Sequence, residues 1–178
     1  MSLLNKIAQA EKYSLTDEDI SRYLDGDVNI IRYEDLAVMY DLEELFFKSP
    51  NVILHIPIES SKSGHWVALF QQGNSVRYFC PYGLSPRENI EYSQWLMHNE
   101  DKNQFSLVYL IKKYKGHFSY SPYKIQELKF AVNTCGRHCI SRLLHKEMGD
   151  LEYFKYITSL KRYRNLNADE VVSLVMLW

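Results

Sequence analysis

The sequence has 178 residues, of which 46% are hydrophobic and 24% charged. This is the balance of an ordinary globular domain, and it excludes a disordered tail, a collagen-like rod and a disulfide-stapled miniprotein. Its 21 basic and 22 acidic residues leave a net charge of −1, which argues against a general nucleic-acid coat. By length the chain reads as a single domain over 1–178, long enough to bury roughly 70% of its unfolded surface. The three cysteines, Cys80, Cys135 and Cys139, are an odd number and do not suggest a disulfide framework. The first twenty residues contain no long apolar run and no later stretch is long enough to span a bilayer. The expectation is therefore a protein away from the membrane, in a reducing compartment where thiols stay free.

In chain order, the N-terminal third reads as helical. Ser14 or Thr16 can cap a helix through Asp17, Ile20, Tyr23 and Leu24, with Gly26 ending it. A second helix is expected over Leu42–Phe47, stopped by Ser49-Pro50. The pattern then changes to short β-rich runs at Val52–Ile58, His65–Phe70 and Ser75–Cys80, with Gln72-Gly73-Asn74 as a hairpin turn and Pro81-Tyr82-Gly83 as a break. A helix is expected over Ile90–His98, and the apolar run Phe105–Ile111 reads as a fourth strand. After Cys135, Ile140, Leu143, Leu144 and Met148 recur at helical spacing, with Gly149 placed as a C-terminal cap. Leu151–Tyr163 and Ala168–Leu177 are two further helices, the last capped by Asn167. The sum is an α+β fold in which helices flank a mostly antiparallel sheet.

Charge is uneven. Residues 11–47 hold 11 acids and 3 bases, and residues 102–137 hold 7 bases and one acid. These are solvated faces, or else the second is a basic surface for an acidic partner or nucleic acid.

Cys135 is the best nucleophile candidate, because Asn133-Thr134-Cys135-Gly136-Arg137-His138-Cys139 stands where a helix begins. A thiol at a helix N-terminus loses its proton more easily, and Gly136 leaves room beside it for a substrate backbone. The competing reading makes Cys135 and Cys139, four apart, small buried residues of one helix face. His65 is the best base, a polar ring at the head of an apolar strand, although such a histidine is often structural. His138 lies close in sequence but about 300° round the helix from Cys135. His55, His98, His117 and His145 have no supporting context. Gln126 can supply an amide to a developing oxyanion. Cys80, Cys135, Cys139 and His65 or His138 have the chemistry of a zinc set, but not the spacing of a zinc knuckle or ribbon. No metal or organic cofactor is expected.

The order His65-Trp66, then Tyr78-Phe79-Cys80-Pro81-Tyr82-Gly83, then Gln126, then Thr134-Cys135-Gly136-Arg137-His138-Cys139 resembles the adenovirus-protease and SUMO-deconjugating-protease superfamily of cysteine peptidases. Within it, the segments 64–69, 78–83 and 134–139 are most similar to the capsid-maturation proteases of virophages, Polinton-type elements and large DNA viruses. The resemblance runs from about residue 15 to the end. It implies an adenain-like fold with the nucleophile at the head of a central helix. It implies Cys135 as nucleophile, His65 as base in a thiolate–imidazolium pair, and Gln126 with the Cys135 amide as oxyanion donors. It also implies a narrow channel lined by Gly64, Trp66 and Gly136 that favours glycine near the cut. Two departures stand out. Cys80 occupies the position where the family has Asp, Glu or Asn, and the nine-residue interval from Gln126 to Cys135 is longer than in the best-known members.

The resemblance further implies a viral endopeptidase that trims capsid or core precursors in the virion and in the host-cell cytoplasm. Nucleic acid or an activating peptide would be its possible partners. The alternatives are a deconjugating protease for a ubiquitin-like modifier, or a catalytically weakened peptide-binding module.

Overall fold

The computed structural model describes residues 2–60, 63–98, 104–129 and 132–177, with only the backbone of 161–164. Lys102, at the start of the basic stretch, lies outside the described residues. The fold is α+β. Five strands, β1 (Asn29–Arg32), β2 (Asn51–Pro57), β3 (Gly64–Gln72), β4 (Ser75–Phe79) and β5 (His117–Tyr120), lie side by side in chain order. The two central pairings, β2–β3 and β3–β4, are antiparallel as expected. The outer pairings, β1–β2 and β4–β5, are parallel, so the sheet is mixed. Both outer strands have only four residues, too few for a periodic signal, and neither is evident in the sequence.

The alternation along β3 divides the interior in two. Trp66, Ala68 and Phe70 face one layer, with Ile53 and Phe79. Val67 and Leu69 face the other, with Leu54, Val76, Tyr78 and Cys80. The first layer is closed by α6 (Cys135–Leu144), which packs on β3, and by α2 (Asp17–Tyr23), α7 (Asp150–Arg164) and α8 (Ala168–Val175). The second is closed by two 3-10 helices, Tyr33–Val38 and Leu42–Phe46, together with α3 (Pro86–Tyr92), α4 (Gln94–His98) and α5 (Ser106–Lys113). The remaining helix, α1 (Leu3–Lys12), packs against α8.

Several expected elements change character. The run Phe105–Ile111 is not a fourth strand but most of α5: Ser106, Leu107 and Leu110 are buried while Tyr109 is exposed, a helical period that a continuous apolar run conceals. The helix expected over 90–98 is two short ones, parted where the Ser93 hydroxyl turns to donate to the Pro57 carbonyl. The helix expected over 42–47 is a 3-10 turn. Gly149 is not the cap that ends α6 but the residue that starts α7, while His145 closes α6. The cap of α2 falls to Thr16, in a reciprocal capping box with Asp19. Asn167 caps α8 as expected.

Candidate functional site

A cleft of about 510 Å³ opens at the end of the sheet where β3 begins. His65, Trp66, Gln126 and Cys135 all line it, with Gly64, His55, Tyr82 and Arg32 among the other wall residues. The sequence therefore places three of its four candidate reacting residues in one cleft.

Cys135 is the first residue of α6. The opening amides of a helix have no acceptor within it. Thr134, the residue before Cys135, makes no side-chain cap to them, because its hydroxyl donates to the Asp169 carboxylate instead. Burial pushes the Cys135 thiol up from its ordinary value, and hydrogen bonds from the Trp66 and Gly136 backbone only partly offset this. Gly136 follows Cys135 at the head of α6. A Cβ there would stand 3.3 Å from Trp66 Cδ1 and 3.4 Å from Leu15 Cβ, so the missing side chain serves the packing of α6 under Trp66.

His65 lies on the opposite face of β3 from Trp66 by strand parity, and it reaches the cleft because the strand starts there. Its ring stacks on Tyr82 with centroids 4.6 Å apart. Its Nε2 is 3.3 Å from Cys80 Sγ. Burial, reinforced by the neighbouring His55 and His138, lowers the His65 pKa to about 3. Both members of the expected pair are thus pushed toward their neutral forms. Both shifts favour a thiol and a neutral imidazole over the thiolate–imidazolium pair.

Cys80 is fully buried. Its Sγ–H donates to Asn89 Oδ1 at 3.6 Å, and Asn89 Nδ2 donates to the Tyr78 hydroxyl at 2.8 Å. Burial raises the Cys80 pKa, so it meets His65 as a neutral thiol with its proton directed to Asn89. The sulfur lone pairs are then left for an imidazole N–H. Asn89 was not evident in the sequence, where it reads as one more polar residue of a short helix.

Gln126 is 1% exposed, and neither side-chain atom of its amide has a partner among the described residues. Its loop is held to the end of β4, since the Ile125 and Gln126 amides both donate to the Pro81 carbonyl. A buried amide without a partner is costly unless something occupies the site.

Around these residues, Trp66 is clamped by the Arg32 guanidinium 5.3 Å above its ring and by the edge of His55 at 4.8 Å. Arg32 is itself fixed by two 2.7 Å bonds to Asp17. Gly64 has no room for a side chain, because a Cβ would fall 2.2 Å from His55 Nε2. His138 is not a competing base: it is fully buried, with Nε2 2.9 Å from Asp169 Oδ1. All three cysteines are free. Among the described residues no cluster of His, Cys, Asp or Glu is placed to hold a metal ion, and no helix is long and apolar enough to cross a membrane.

Fold and cleft define the class of the chain: an α+β protein that brings a thiol at the head of a helix and a histidine at the head of the adjoining strand into one cleft. It is 30% identical to the uncharacterized protein V9 of Sputnik virophage over 176 residues, 97% of this chain and 99% of V9. The chain belongs to the family of that virophage protein, in agreement with the viral affinity of its motifs. No family model matches it. Among solved structures it is similar to the African swine fever virus protease pS273R, with a TM-score of 0.48 and 12% identity over 93% of this chain and 67% of that one. It is also similar to ChlaDub1 of Chlamydia trachomatis, with a TM-score of 0.34 and 14% identity over 99% and 80% of the two chains.

Proposed function

We propose that this chain is a cysteine endopeptidase that cleaves capsid or core precursor polypeptides of its virus at small-residue, glycine-containing sites. One observation carries the reading. The cleft that holds Cys135 and His65 also holds the buried amide of Gln126 with no partner, which is the form an oxyanion donor takes before substrate arrives. The walls formed by Gly64, Trp66, His55 and Tyr82 support a preference for small side chains.

In this reading, Cys80 engages His65 Nε2 and leaves Nδ1 as the base. Nδ1 takes the Cys135 proton as the sulfur attacks the peptide carbonyl. The negative oxygen receives hydrogen bonds from Gln126 Nε2 and the first amides of α6. Imidazolium returns the proton to the leaving amine, and water, deprotonated by His65, releases the acyl group. The ion pair forms during the reaction rather than before it.

The test is incubation of the purified chain with the capsid precursors of its virus, with products read by mass spectrometry. Cys135→Ala is expected to abolish cleavage and keep the circular dichroism of the parent. Identical products from the variant would overturn the proposal. A second reading, a peptide-binding module without catalysis, is favoured by one feature: a neutral Cys80 thiol faces His65 where a carboxylate would hold a charge. In that case the precursor binds and stays whole. A panel of ubiquitin-like fusions in the same assay separates a deconjugating activity from both.

A further inference from the structure

Asp169 opens α8, far in sequence from the cleft, yet it is 2% exposed and bound to both sides of it. One carboxylate oxygen, Oδ1, accepts from the Thr134 hydroxyl and from His138 Nε2 at 2.9 Å. The other, Oδ2, accepts from the Glu127 backbone amide at 3.1 Å. Thr134 directly precedes Cys135, and Glu127 directly follows Gln126. A single buried side chain therefore joins the residue before the candidate nucleophile to the residue after the candidate oxyanion donor.

The tie acts on the helix as well. A threonine at an N-cap ordinarily turns its oxygen onto the second or third amide of the helix. Here the hydroxyl is a donor to Asp169 and makes no cap, so the threonine side chain takes up none of the amides at the head of α6. Burial alone would raise the pKa of Asp169, but the bonds from His138, Thr134 and Glu127 more than reverse this, so the carboxyl lies below its ordinary value. It is a paired anion, as a buried carboxylate must be.

From this geometry we infer that Asp169 is a positioning residue. It sets the separation between the Cys135 thiol and the Gln126 amide, and it keeps the first amides of α6 uncapped for an oxyanion. This rests on the peptidase reading and extends it to a residue that touches neither substrate nor the reacting atoms. Displacing a reacting group by about 1 Å costs on the order of 100-fold.

The test compares two probes of Cys135. Iodoacetamide needs only the thiol. A capped diglycine aldehyde (acetyl-Gly-Gly-CHO) adds the thiol to its carbonyl, and its new oxygen then needs the donors. Asp169→Ala is expected to weaken aldehyde binding by about 10- to 100-fold, with the iodoacetamide rate within about twofold of the parent, a span far smaller than any loss of donor alignment would produce. Asp169→Asn, which keeps an oxygen for the Glu127 amide, is expected to restore most of the affinity. Equal aldehyde affinity in parent and Asp169→Ala would overturn the inference. If Asp169→Ala does not fold, Thr134→Val, close to isosteric and lacking only the hydroxyl bond, carries the same comparison.

Amide hydrogen exchange makes the two levels of the argument separable. In Asp169→Ala or Thr134→Val, the amides of 126–128 and 134–136 are expected to exchange faster while α7 keeps its protection. Unchanged exchange in both segments would overturn the tie whatever the aldehyde does. An aldehyde that fails to bind even the parent protein would instead sink the peptidase reading, and the exchange data alone would then decide whether Asp169 joins the two segments.

Discussion

Cys80 concentrates the chemistry that is unusual in this site. The ring it faces is neutral at working pH, with a pKa of about 3, and the sulfur it should activate is pushed upward by burial. Alkylation of Cys135 by iodoacetamide is therefore expected to rise with a midpoint no lower than the free-thiol value of about 8.5. Cys80→Asp would place a carboxylate on His65 Nε2, favour imidazolium, and lower that midpoint by about 1 to 3 units. Peptide-resolved mass spectrometry across pH reads both curves. A parent midpoint well below 8.5, or a midpoint unmoved by Cys80→Asp, would contradict this account of the pair. The types and order of Cys135, His65 and Gln126 are legible in the sequence because each sits at a break in pattern: a helix head, a strand head, a loop. Asn89 and Asp169 are not legible, because their partners Cys80, Tyr78, Thr134 and Glu127 are set by folding alone. Asparagine inside a short helix and aspartate in the first turn of another both have ordinary local explanations.

At the scale of elements, the loop from the end of β5 to α6 decides whether Gln126 reaches the cleft. Its fixed point is the turn at Gly83, where φ is +72° and a Cβ would fall 2.8 Å from the Pro122 carbonyl and 2.9 Å from the Lys124 amide. Both obstacles are backbone of the Gln126 loop, and that backbone is held by Ile125 and Gln126 donating to Pro81. Gly83→Ala must strain the turn and displace the loop together. The expected cost is about 1–3 kcal/mol of stability, read by denaturant unfolding, along with a loss of aldehyde affinity like that of a misplaced donor. Full stability and full affinity in Gly83→Ala would show that the turn does not carry the loop. The central hairpin was legible for the opposite reason: β2, β3 and β4 are apolar runs separated by short polar segments, and the turn at Gly73, with φ of +58°, falls within the expected three residues. The misread run 105–111 is interrupted only by one small polar residue, Ser106, and only burial on α5 reveals its period.

At the scale of the whole molecule, the interior has two layers, and the site lies where the sheet that separates them ends. Placing a histidine there ties global stability to pH. His65 titrates at its ordinary value of 6.5 when unfolded and at about 3 when folded, and burial also depresses His55. Between those values the unfolded chain binds more protons than the native one, so stability rises with pH through the window. The favourable state is fully present above about 6.5 and is lost progressively as pH falls toward 3. One such histidine contributes a slope of about 1.4 kcal/mol per pH unit in that interval. Asp169, Asp19 and Glu88 are depressed carboxyls whose stabilisation begins to fade only near pH 5, and Glu11, raised by burial, acts with the opposite sign, so the interval from about pH 6 to 5 is read as the difference between the parent and a variant without His65. Denaturant unfolding across that interval is expected to show the parent losing stability on acidification. His65→Gln, which cannot charge, should lose stability less steeply by about one proton. Parallel curves for the two proteins would mean that His65 is protonated as readily in the native cleft as in the unfolded chain. The neutral resting pair on which the proposed mechanism is built would then have to be abandoned.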